Sequence, residues 1–169
     1  EIAFGSVLSF VPLLAHGGSF MRAGYFYSFL GIMAVFLRLF AGKRLRSWGR
    51  PELLLPAFVF LSSGIVSLYF SHAGWHLALS GLICGLGIGI LFPHLSSLII
   101  DDVKDRDRSR VLGLFAAFSD LGFAVGPVMF GCMSQIFGIR QFFPIFGGAL
   151  LFLILIMMGV GKKEIYQRN

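Results

Sequence analysis

The chain has 169 residues, of which 57% are hydrophobic and 13% are charged, and it carries a formal net charge of +6. Soluble domains usually carry about 25% charged residues, so this composition excludes an ordinary soluble domain and predicts an integral membrane protein in contact with the lipid bilayer. The basic residues lie in short loops between apolar runs and not along one exposed face, which argues against nucleic acid as a partner.

Six continuous apolar runs approach or exceed the roughly 20 residues that a helix needs to cross a bilayer. Because apolar and polar residues do not alternate within them, the runs predict helices and not the strands of a barrel. The first run is short and the chain starts with Glu1, not Met, so we expect a fragment that begins within a longer chain. The predicted transmembrane helices are Ile2–Ala15, Ala23–Ala41, Leu53–Phe70, His76–Ile100, Val111–Phe137 and Phe142–Gly161.

The cations are distributed unevenly between the two ends of these runs. All but Arg22 and Arg140 of the 14 Lys and Arg residues lie in the stretches Arg38–Arg50, Lys104–Arg110 and Lys162–Arg168. Cytoplasmic loops carry an excess of Lys and Arg, so this asymmetry predicts that both ends of the chain are cytoplasmic. The expected location is the inner (plasma) membrane of a bacterium.

Two motifs stand at the ends or within these helices. The loop after the second helix is similar to the G-[RK]-L-x-D-R-x-G-R pattern of the major facilitator superfamily, with Arg46-Ser47 in place of Asp-Arg. The fifth helix contains an element that resembles the family's G-x-x-x-G-P-x-x-x-G. The loop residues of the first motif include Gly42, Lys43, Arg44, Gly49 and Arg50. The residues of the second motif are Gly122, Gly126, Pro127 and Gly131.

The resemblance implies the C-terminal six-helix half of a major facilitator fold. That half is a 3+3 inverted repeat, here 1–75 and 76–169, the second including a cytoplasmic tail. Its first and fourth helices line a central cavity, its second and fifth face a missing N-terminal half, and its third and sixth face lipid. The implied function is secondary active transport by alternating access, with proton-coupled efflux of a small organic or drug-like substrate. Such a protein is not an enzyme and needs no cofactor.

Three ionisable residues within the predicted spans are candidates for proton coupling or substrate binding. Asp120 lies about 15 Å along the fifth helix, where a charge costs roughly 2.5–3.5 kcal/mol on insertion scales. Its alternative role is a protonated, hydrogen-bonded structural acid. His94 is a candidate proton relay, since histidine is the side chain suited to that role near neutral pH, or alternatively a hydrogen-bonded residue beside a proline kink. Arg38 reaches the cytoplasmic interface or pairs with an acid of the missing half.

Small residues at helical spacing predict where helices approach closely and bend. Gly81, Gly85 and Gly89 form a small-xxx-small face on the fourth helix. Gly122 and Gly126 form a shorter one, and Pro127 is expected to kink the fifth helix. Lipid contact and packing are the expected role of most phenylalanines, and the candidates for the lining of a hydrophobic cavity are Phe10, Phe26, Phe29 and Phe92.

Two other functions are weighed against transport. A complete six-helix protein acting as a homodimer is disfavoured by the short first run. An intramembrane enzyme is disfavoured because the sequence has no Gly-x-Ser-Gly nucleophile motif and no HExxH zinc motif. Cys84 and Cys132 both lie in apolar runs without metal-ligand spacing, so no metal site is predicted.

Overall fold

The computed structural model describes residues 1–14, 20–41, 53–71, 73–101 and 103–167, and these ranges contain helices and turns but no strand. The helical class predicted from the continuous apolar runs is therefore confirmed. A π-helical turn, Leu37–Ala41, extends α2, and a 3₁₀ turn, Leu68–Phe70, extends α3. The α-helices of these ranges are α1 Ile2–Leu14, α2 Phe20–Phe36, α3 Leu54–Ser67, α4 Gly74–Asp101, α5 Arg108–Phe137 and α6 Ile139–Gln167.

Three of these helices are long and apolar enough to cross a membrane, namely Gly74–Ile100, Arg108–Phe137 and Ile139–Ile156. The apolar helices Ile2–Leu14 and Leu54–Phe70 are shorter, as is Ala23–Leu39. At 1.5 Å per residue, the 13 residues of α1 span about 20 Å, less than the roughly 30 Å of a hydrocarbon core. The lengths thus support three of the six predicted spans directly.

The helix boundaries differ from the predicted spans mainly at polar residues. α5 begins at Arg108, three residues before the predicted span, and the Arg108 guanidinium pairs with the Asp105 carboxylate at 2.8 Å. α6 begins at Ile139, directly after Gly138, which has a φ of +82°. Apolar runs mark the part of a helix that is in lipid, whereas the hydrogen-bonded helix continues into the polar interface. Glycine tolerates that left-handed φ, which lets a single residue connect α5 to α6.

Glycines bring the helices together in pairs. α2 packs most extensively against α4, and α1 packs mainly against α5. A methyl group on Gly81 would collide with the Phe26 carbonyl oxygen of α2, and one on Gly85 would lie 2.7 Å from the Leu30 carbonyl oxygen. In the other pair, a methyl group on Gly126 would collide with the carbonyl oxygen of Ile2. These positions require hydrogen in place of a side chain because the backbones themselves are in contact.

The third and sixth helices cover the two pairs from one side. α3 packs against both α4 and α6. Gly64 of α3 lies against Cys84 of α4, which is fully buried, and Gly147 of α6 lies against Ser62 of α3. Between α5 and α6 the buried Phe130 ring packs on Phe143, with ring centroids 4.9 Å apart. This layer closes the core, and Phe58 and Leu61 of α3 with Leu150 of α6 also reach the cleft described below.

Arg140 connects the beginning of α6 to the end of α3. Its Nη2 donates a hydrogen bond to the carbonyl oxygen of Ser71, with a nitrogen–oxygen distance of 2.8 Å. Ser71 follows the 3₁₀ turn, where helical carbonyls lack partners from their own helix. A cation at the carboxyl end of a helix also interacts favourably with the helix dipole. Arg140 is one of two cations outside the basic stretches, and this bond supplies a structural reason for its position.

We expect Arg140→Ala to lower the unfolding free energy by about 1.5–3 kcal/mol, the range for a hydrogen bond to a charged group. The measurement is thermal unfolding in detergent in a background in which Cys132 and any other accessible cysteine are replaced by serine, followed by reaction of a maleimide dye with the Cys84 thiol, which is fully buried in the folded protein. Arg140→Lys retains a cationic donor and should lose less. An unchanged midpoint in Arg140→Ala would contradict this structural role.

Candidate functional site

A cleft of about 430 Å³ lies between α1 and α4. These two helices belong to different pairs and make few direct contacts, so the space between them is not filled by their side chains. Ligand pockets usually enclose about 300–1,000 Å³, so the cleft is large enough for a small organic molecule. Its lining residues are Glu1, Ile2, Ala3, Phe4, Phe58, Leu61, Ile88, Leu91, Phe92, Leu95, Phe115, Phe118, Ser119, Gly122 and Leu150.

Phenylalanine dominates the wall of the cleft. Phe4 comes from α1, Phe58 from α3, Phe92 from α4, and Phe115 and Phe118 from α5. The rings of Phe92 and Phe115 are tilted by 45° relative to each other, with centroids 6.0 Å apart. Aromatic pairs at this distance attract each other, and their faces also attract cations. The cleft is therefore suited to an apolar or aromatic ligand, including one that carries a positive charge.

One stripe of α5 supplies the inner wall. Phe115, Ser119, Gly122 and Gly126 are three or four residues apart, which places them on one face of a helix. Phe115, Ser119 and Gly122 line the cleft, and Gly126 is buried against α1. The Ser119 hydroxyl is the polar group that this helix presents to the cleft. It can donate or accept a hydrogen bond with a bound molecule.

Asp120 lies outside the cleft. It follows Ser119 directly, and its side chain is on the exposed side of α5. The small residues at helical spacing from it, Gly113, Ala116 and Ala124, are exposed as well. No atom of the described chain lies within 4 Å of a methyl group placed on Gly113. This small-residue face is thus uncovered by the described part of this chain.

The other two ionisable candidates lie on different helices. His94 is partly buried on α4, between the cleft residues Phe92 and Leu95, but does not itself line the cleft. Arg38 is exposed within the π-helical turn that ends α2. π-helical turns inside α-helices are frequent at functional sites. The structure therefore does not bring Asp120, His94 and Arg38 together around the cleft.

Of the two sequence motifs, the structure describes the glycine-proline element of the fifth helix but not the basic loop after the second helix. Gly42, Lys43, Arg44, Gly49 and Arg50 lie outside the described residues. Gly81, Gly85 and Gly89 of the fourth helix face α2 and its π-helical turn, and Gly122 and Gly126 of the fifth helix face α1. Pro127 lies inside α5, one residue after Gly126. Gly131 approaches the Phe10 ring, since a methyl group there would lie 3.3 Å from its Cζ.

Sequence reasoning identified part of the aromatic wall. Of the four phenylalanines considered there, Phe92 lines the cleft, whereas Phe26 is fully buried against α4 and Phe10 packs on Phe130 with ring centroids 4.6 Å apart. Phe10 and Phe26 do not line the cleft, because both rings fill contacts between helices, which is the packing role expected for most of the phenylalanines. Phe29 of α2 is not among the lining residues either. The helical spacing of Phe115, Ser119 and Gly122 was the signal that could have located the inner wall.

Among the described residues, no group of three or more His, Cys, Asp or Glu side chains is placed to hold a metal ion. Cys84 and Cys132 are both free thiols. The cleft accordingly offers apolar contact, aromatic stacking, the Ser119 hydroxyl and, at its α1 end, the acidic residue Glu1.

The long apolar helices define an integral membrane protein, with a cleft between its helices. Residues 2–165 match the profile of the family described as Major Facilitator Superfamily. The chain belongs to this superfamily, which confirms the resemblance drawn from the two glycine motifs.

Relatives of the chain are named for export and drug resistance. It is 27% identical over 167 residues to the staphylopine export protein of Staphylococcus aureus (strain Mu50 / ATCC 700699), covering 96% of this chain and 42% of that protein. It is 25% identical over 130 residues to the multidrug resistance protein MdtG of Salmonella schwarzengrund and of Salmonella arizonae, covering 77% of this chain and 32% of each. The chain thus spans less than half the length of these relatives.

Proposed function

We propose that this chain forms one half of a secondary active transporter that exports small organic molecules in exchange for protons. The observation that carries the proposal is the open aromatic cleft between α1 and α4. In an alternating-access transporter, such a cleft is one wall of the substrate site, and a second half supplies the other. The full protein would then have six transmembrane helices in this half.

The helix pairing supports an inverted repeat of three helices, 1–75 and 76–169. In such a repeat, α1 corresponds to α4, α2 to α5 and α3 to α6. The contact between α1 and α5 then corresponds to the contact between α4 and α2. These are the principal contacts of α1 and α2, and both depend on glycines that bring backbones together. An internal two-fold relation of this kind is the expected architecture of such a half.

The uncovered face of α5 supports pairing with a missing N-terminal half. Small residues let two membrane helices approach closely, and an exposed acid in the bilayer is costly unless it pairs with a partner or faces water. The Asp120 carboxylate and Gly113, Ala116 and Ala124 share this face. The shorter length of the chain compared with its relatives agrees with a second half. In the membrane, both ends of this half would lie in the cytoplasm.

The cleft and the relatives together support an apolar, aromatic substrate that carries a cationic group. Five phenylalanines supply the apolar contact, and Asp120 on the adjacent face supplies a carboxylate that binds either a proton or a cation. Competition between the two for one carboxylate would couple export to proton entry. His94 and Arg38 would act in proton relay and in pairing across the two halves.

We expect Asp120→Asn to reduce proton-driven transport by at least tenfold, because asparagine cannot exchange a proton. The protein expressed from its complete coding sequence is reconstituted into liposomes, and uptake of tetraphenylphosphonium, an aromatic cation, is driven by a pH gradient. Asp105→Asn is the matched control, because Asp105 is an exposed loop acid whose side chain is 88% accessible. Transport by Asp120→Asn at the native rate and with native pH dependence would contradict the coupling role.

A further inference from the structure

The first helix contains a proline that interrupts its own hydrogen-bond ladder. Pro12 lies inside α1, and in an α-helix its nitrogen would donate to the carbonyl oxygen of Leu8. Proline has no N–H, so this bond cannot form. The Tyr27 hydroxyl of α2 donates to that same Leu8 carbonyl oxygen, with an oxygen–oxygen distance of 2.5 Å. A side chain from the next helix therefore supplies the donor that Pro12 lacks.

This hydrogen bond joins the two helix pairs. α1 packs mainly on α5 and α2 mainly on α4, while α1 and α2 contact each other far less. The Tyr27–Leu8 bond thus connects the α1–α5 pair to the α2–α4 pair. The cleft opens between α1 and α4, which belong to opposite pairs, and its α1 wall runs from Glu1 to Phe4. Leu8 follows Phe4 by about one helical turn, so a movement of α1 at this point would change the width of the cleft.

In the fifth helix, the backbone hydrogen bond lost at a proline is compensated in a different way. Pro127 interrupts the bond to the carbonyl oxygen of Phe123, and Gly5 of α1 packs directly on that oxygen. This contact joins two helices of the same pair through their backbones. It moves with the pair and cannot be exchanged for another partner by rotating a side chain. Tyr27, by contrast, can withdraw its hydroxyl by rotation about its side-chain bonds.

We propose that Tyr27 is a positioning residue that holds α1 in the open-cleft state through the carbonyl oxygen exposed by Pro12. When the cleft closes, the Tyr27–Leu8 bond breaks and the Leu8 carbonyl oxygen takes another partner. This inference rests on the proposed transport function, because it takes the cleft as the substrate site. Removing the hydroxyl lowers the population of the open state and, with it, the apparent affinity for ligand, although no lining residue changes.

The test uses Tyr27→Phe in the protein expressed from its complete coding sequence. A reporter thiol is introduced by Ser119→Cys, with Cys132 and any other accessible cysteine replaced by serine; Cys84 is fully buried. In detergent, we expect the rate at which a maleimide modifies position 119 to fall about three- to tenfold, and tetraphenylphosphonium affinity in the Ser119 protein to fall by a similar factor. Thermal stability should change little, which distinguishes a shift between states from unfolding.

Two further variants make the inference specific. Tyr25→Phe removes a hydroxyl from an exposed tyrosine of the same helix and should leave both readouts unchanged. Pro12→Ala restores the missing N–H, so Tyr27→Phe should have a much smaller effect in that background. Labelling of Tyr27→Phe at the rate of Tyr25→Phe, or an undiminished effect in Pro12→Ala, would overturn the proposal. The labelling readout needs no ligand, so failure of tetraphenylphosphonium to bind the native protein would count against the proposed function alone.

Discussion

Gly81→Ala is expected to separate α2 from α4 and to lower the unfolding free energy by about 1–3 kcal/mol, and Gly81→Leu should prevent the protein from folding. The new Cβ would collide with the Phe26 carbonyl oxygen, which belongs to the backbone and cannot rotate away. Relief therefore requires the two helices to move apart. That movement would also loosen Phe26, which is fully buried.

The matched control is Gly31→Ala on α2, where a methyl group would meet no atom within 4 Å. Alanine favours a helix over glycine by about 0.8–1 kcal/mol in water, so this variant should be as stable as the native protein or more stable. Thermal unfolding of both variants in detergent, with Cys132 replaced by serine and followed through exposure of the Cys84 thiol, makes the comparison. Equal midpoints for the two variants would show that the α2–α4 contact is less close than the structure has it.

Phe115→Ala is expected to weaken binding of an aromatic cation at the cleft by about tenfold or more. Truncation removes one ring of the pair that Phe115 forms with Phe92. It also removes apolar contact worth roughly 1.5–3 kcal/mol for a fully buried side chain, of which an open cleft recovers part. The measurement is equilibrium binding of labelled tetraphenylphosphonium to the purified protein, and Phe92→Ala should behave in the same way.

Phe152→Ala controls for the loss of any phenylalanine. Phe152 is on α6, is 66% exposed and does not line the cleft, so its truncation should leave binding unchanged. If Phe115→Ala and Phe152→Ala bind the ligand equally well, the ligand occupies another part of the protein. If both lose affinity, the effect comes from the lipid-facing surface and not from the cleft.

The helical class and the approximate helix positions follow from local composition. A continuous apolar run of the length of Gly74–Ile100 is stable in lipid only as a helix, because a helix satisfies its backbone hydrogen bonds within itself. The boundaries follow less well, since residues such as Arg108 and Arg140 extend helices beyond the apolar runs. The length of an apolar run indicates how much of a helix is in lipid, but it does not indicate where the backbone hydrogen bonds of that helix end.

The candidate site was only partly predictable. Asp120 stands out in sequence because an acid in an apolar run is costly, yet the neighbouring Ser119 is the residue that lines the cleft. A shift of one residue rotates a side chain by about 100° around the helix axis, so composition alone does not assign it to a wall. The aromatic wall combines residues from α1, α3, α4 and α5, and no local pattern in the sequence shows that these four helices meet.

By itself, the sequence determines that this protein is helical, lies in lipid, belongs to the major facilitator superfamily and has glycines where helices approach closely. Each of these depends on residue type and on spacing within one helix. Only the tertiary structure decides that α1 pairs with α5 and α2 with α4, that a cleft is left between the pairs, and that Tyr27 reaches the carbonyl oxygen exposed by Pro12. These are contacts between separate helices, and they depend on which faces meet.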